Sequence, residues 1–190
     1  SALDQLAPYI RAVQLSGEDR QQVEDLEPQM QHADSESAIH TAILQMRAGV
    51  LADMPVEGLL TGTNVVPALL HLTTRGAAST VPQVALACLH ELVVKAAAAI
   101  HGTDPASTSS TLPIGATLHQ IMRATCAVLG DAQLHSTVVP LLADLAPLAT
   151  VASVLQPDCA EAAALCSSWR QCLAAVADAL RLTMVRVSGY

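Results

Sequence analysis

The chain has 190 residues, 52% of them apolar and 14% charged, with a net charge of −8. That length suits one domain with a sizeable core, and an acidic balance without a basic stripe argues against nucleic acid as a partner. Aromatic residues are 2%, with no Phe, so the core must be built from Ala, Leu, Val and Ile, a composition that favours closely packed helices.

Leu3, Leu6, Ile10 and Val13 recur at helical spacing and predict a first helix over 3–15. Asp4 and Arg11 interrupt any apolar run there, so no signal peptide is expected. The Ser1-Ala2 opening suggests a segment of a longer protein. From Gly17 to Glu36 there are seven acids and one arginine, Arg20, for a local charge of −6. Ser16 and Asp19 resemble a capping box at the start of a second helix. Val23 and Leu26 form its apolar side, and Pro28 is expected to bend or end it. Residues 17–34 thus read as an acidic helix or connector. Glu24, Asp25 and Glu27 are a candidate acidic docking strip for a basic partner, set against the plainer reading of a solvated face.

Ile39, Ile43, Met46 and Val50 predict a helix over 35–52. Met54-Pro55 breaks it, a short helical turn runs through Leu60, and Gly62-Thr63-Asn64 is the next punctuation. Helices follow over 64–74 and 81–100. Residues 101–111 are rich in Gly, Pro, Ser and Thr and read as a flexible loop. Further helices are expected over 112–129, 136–155 and 158–182, the last with Leu165, Trp169, Cys172, Val176 and Leu180 as its core stripe. No period-2 alternation is long enough to support a sheet. Val138 to Leu155 approaches membrane-span length, but Pro140, Asp144 and Pro147 favour a buried helix, kinked or restarted at Pro147. The expected fold is all-α, with about seven or eight helices in one domain over 1–190.

One phrase occurs twice. Val65-Val66-Pro67-Ala68-Leu69-Leu70-His71-Leu72 returns as Val138-Val139-Pro140-Leu141-Leu142-Ala143-Asp144-Leu145. Together with Ala85 to Leu92, the first copy resembles an armadillo repeat, and Val139 to Leu145 with the last helix resembles a more divergent one. The resemblance implies an armadillo/HEAT-like α-solenoid, in which helical units stack and bind partners through an extended face. Where peptide-gripping members of the family present a Trp and an Asn, this sequence has Ala87 and Glu91, which departs from the groove that clamps a basic peptide. Ile39 to Leu72, through Asp53-Met54-Pro55-Val56-Glu57-Gly58-Leu59-Leu60, is similar to a unit of the rotatin group, and that likeness implies a centriolar or ciliary scaffold.

The reactive residues do not assemble into a reaction centre. Cys88 and His90 are two apart and diverge on a helix. Cys159, Cys166 and Cys172 are spaced by seven and six, and with Cys126 they read as core thiols of a reducing, cytoplasmic compartment. Ser167 or Ser168 with His119 or His135 would need a nucleophile elbow the sequence lacks. Gly58, Gly62 and Gly76 are scattered and form no phosphate loop. No catalytic residue, cofactor or metal is therefore expected. The expected function is a non-catalytic scaffold binding a helix or peptide, with Ala87, His90, Glu91, Val94, Arg170 and Gln171 as candidate partner-binding residues. Self-association as a homo-oligomer is the alternative, and an all-α enzyme or small-ligand carrier is the third reading.

Overall fold

The computed structural model describes residues 9–75, 79–102 and 110–155, with residues 170, 174, 177 and 178 as isolated helical positions. It is mostly helical. The elements are β1 (Tyr9–Arg11), α1 (Gly17–His32), α2 (Glu36–Gln45), a π turn (Met46–Val50), α3 (Leu51–Asp53), α4 (Val56–Gly62), α5 (Val65–Leu72), α6 (Val81–Gly102), β2 (Thr111–Pro113), α7 (Gly115–Ala127), a 3-10 turn (Ala132–Leu134) and α8 (His135–Leu155).

The expected helix over 3–15 is not formed in its described part. Tyr9, Ile10 and Arg11 instead pair antiparallel with Pro113, Leu112 and Thr111, and Ala12 N donates to Ser110 O at 2.9 Å. The pair is a two-stranded ribbon that the absence of long alternation concealed. Ile10 is fully buried. One anchoring side chain per short strand leaves no periodic signal to read. The expected loop over 101–111 is likewise bounded by helix to Gly102 and strand from Thr111.

Local chemistry explains four of the helix starts. Ser16 Oγ accepts from Asp19 N at 3.1 Å and caps α1. Ser35 Oγ accepts from Ala38 N at 3.2 Å and caps α2. Pro67 and Pro82 stand in the first turns of α5 and α6, where a missing N–H costs nothing. Pro28, expected to bend or end α1, does not end it; α8 covers the helix expected over 136–155 and runs through both Pro140 and Pro147. Each interior proline removes one helical hydrogen bond, to the carbonyl four residues earlier. Pro28, Pro140 and Pro147 are all exposed, so the strain falls on helix faces turned to solvent.

The π turn widens the helix for five residues between α2 and α3. Met46, Val50, Leu51 and Met54 all stay on the buried side across it.

Helix α6 is the centre of the molecule. Its stripe Ala85, Leu86, Cys88, Leu89, Leu92, Val93 and Ala96 is buried. It packs against α2, α4, α5, α7 and α8. Helices α1, α5 and α7 pair in turn with α2, α6 and α8. The order of contacts fixes direction. Glu36 meets Thr80, Ile43 meets Cys88 and Arg47 meets Glu91, so α2 and α6 run parallel. Pro82 and Gln83 share a cleft with Gln133 and Leu134, while His90 meets Asp144, so α6 and α8 also run parallel.

The repeated valine-proline phrase does not mark equivalent places. The first copy is the short helix α5, paired with α6, whereas the second lies within α8, parallel to α6. Both copies need a valine-leucine stripe on a helix that packs against α6, which is sufficient reason for the likeness. Of the proposed last helix, residues 170, 174, 177 and 178 are helical and exposed. Trp169, Cys172 and the rest of its stripe lie outside the described residues.

Candidate interaction surface

The exposed side of α6 is a narrow stripe: Gln83, half-buried Ala87, Val94 and Ala98, at spacings of four, seven and four, which align on one helical face. Val94 is 47% exposed. His90 and Glu91 flank this stripe on opposite sides. Glu91 Oε2 accepts from Arg47 Nε at 2.9 Å on the α2 side. His90 Nε2 lies 2.6 Å from Asp144 Oδ2 on the α8 side. These two polar ties bridge the seams between neighbouring parallel helices.

The neighbours continue the same surface. On α2 and the π turn the exposed residues are Ser37, Thr41, Leu44 and Ala48, with Arg47 at the α6 edge. Leu44 is 44% exposed. On α8 they are Ser136, Pro140, Ala143 and Pro147, with Asp144 at the α6 edge and Val139 at the far edge. Three parallel helices therefore present one face composed largely of Leu44, Ala48, Ala87, Val94, Ala98, Pro140, Ala143 and Pro147. Among the described residues nothing covers it. Exposed apolar side chains on such a face, interspersed here with the two polar pairs and with Ser37, Thr41, Gln83 and Ser136, are candidates for contact with a partner.

The candidate residues named from sequence separate into groups. Ala87, His90, Glu91 and Val94 all belong to this face. His90 and Glu91 are already engaged within the molecule, so they border the surface while Val94 centres it. Arg170 is exposed at a helical position, and Gln171 lies outside the described residues. Leu44, the two prolines of α8 and its Ala143 were not anticipated. Their signal was present as apolar residues off the buried stripe, but only the parallel packing of α2, α6 and α8 assembles them.

The three residues of the acidic strip have different surroundings. Glu24 is exposed, and Asp25 Oδ1 accepts from Gln21 Nε2 at 3.0 Å within α1. Glu27 points inward along the chain's own fold: its Oε1 accepts from Asn64 N at 2.8 Å, at the start of α5. Glu36 does the same for α6, accepting from Thr80 N at 2.9 Å and Ser79 Oγ at 2.5 Å. Those hydrogen bonds hold its carboxyl below its ordinary range. Two glutamates of the first helical pair thus close exposed N–H groups of later helices.

Cys88 is buried beneath the face, and desolvation pushes its thiol up to about 12, with the Arg47 charge opposing that rise. It is an inert core thiol. Among the described residues no three His, Cys, Asp or Glu side chains are placed to hold a metal ion. A small cleft is lined by Ser79, Thr80, Pro82, Gln83, Asp131, Gln133 and Leu134. Among the described residues, α6 is the helix long and apolar enough to cross a membrane, and its most apolar side is spent on the contacts with α2, α5 and α8.

No family model, curated protein or solved structure matches the chain.

Proposed function

We propose that this chain is a non-catalytic protein-interaction module, an α-solenoid-like scaffold segment that binds a helical or extended partner across the face of α2, α6 and α8. The observation that carries this reading is Val94, exposed on α6 between the Arg47–Glu91 and His90–Asp144 pairs, with Leu44 exposed on α2. The paired arrangement α1/α2, α5/α6 and α7/α8, with the second members parallel in a row, is the layout expected of stacked helical repeats. Such stacks act through the face that their parallel helices share.

Affinity capture from cell extract tests the proposal, comparing the native chain with Val94→Arg and with Leu112→Arg. Leu112 is exposed on β2, outside α2, α6 and α8, and serves as the control. A protein retained by the native and Leu112→Arg chains and lost with Val94→Arg is the expected result. Identical protein sets on all three would overturn the assignment.

A further inference from the structure

We draw no further inference here: the strongest candidate, the partly apolar surface patch shared by α2, α6 and α8, carries nothing because its charged groups are paired within the chain and nothing in the structure shows what covers it.

Discussion

Glu36 is the first residue of α2, and its carboxylate also accepts the backbone N–H of Thr80, immediately before α6. One side chain therefore ties together the starts of two parallel helices that are 45 residues apart in sequence. Such a contact registers the helices against each other at their ends, where few apolar side chains are available to do so.

The pH dependence of this tie follows from its sign. The folded-state value of Glu36 lies below its ordinary 4.5. Its contribution is complete above that ordinary value and is lost as pH falls through the lower, folded-state value. In Glu36→Gln the melting temperature should fall less steeply on acidification in that window than in the native chain. Parallel acid titrations followed by circular dichroism would reveal equal slopes if the carboxylate were merely exposed.

Close approach at Gly58 predicts a steric lesion. A Cβ there would lie 2.8 Å from Leu15 Cδ2 and 3.2 Å from Val13 O. Leu15 is buried and the carbonyl is backbone, so neither yields freely. Gly58→Ala should destabilise the fold by about 1–3 kcal/mol, despite alanine's better helix propensity. Urea denaturation would detect it as a lowered midpoint, and a raised midpoint would mean that the 12–16 segment moves aside easily.

Two substitutions on one helix should differ sharply. Leu89 is fully buried in the centre of the core, whereas Val94 is half-exposed. Leu89→Ala should cost about 2–5 kcal/mol, and Val94→Ala less than about 0.5 kcal/mol in the monomer. Equal losses in denaturant would contradict the assignment of these two sides of α6.

Cys88 should be silent toward thiol reagents. Its burial and a thiol value of about 12 leave almost no thiolate at neutral pH. Alkylation followed by peptide mass analysis should find Cys88 unmodified in the native protein and labelled once it is unfolded. Rapid native labelling would show that the α2–α6 seam opens readily.

The helices were the legible part of this fold. Ile39, Ile43, Met46 and Val50 recur at helical spacing, and all four are buried. Ser16 announces α1 by its position and chemistry. The ribbon of 9–11 and 111–113 was hidden because its partners lie about 100 residues apart and three residues carry no usable periodicity. At Pro28 and Pro147 the sequence left a bend and a break as alternatives. Local propensity permits a break, but burial of Met30 and Leu148 beyond them favours continuing the helix. Val94 was visible as a surface position of a helix, while Leu44 and Pro140 could join it only through tertiary packing. Glu27 illustrates the converse: its charged neighbourhood suggested solvent, yet Asn64 N determines where it points.

The parallel course of α2, α6 and α8 has an electrostatic consequence. Aligned peptide dipoles place roughly half a positive charge at each helix start, so the three starts crowd like charge along one edge. Antiparallel helices would cancel this field, and parallel ones add it. Glu36 accepts from Thr80 N at the α6 start, and Asp131 accepts from Gln133 N just before α8. Carboxylates therefore stand where the summed field most favours them. The acids at these helix starts act as built-in counterions that let three aligned macrodipoles lie side by side.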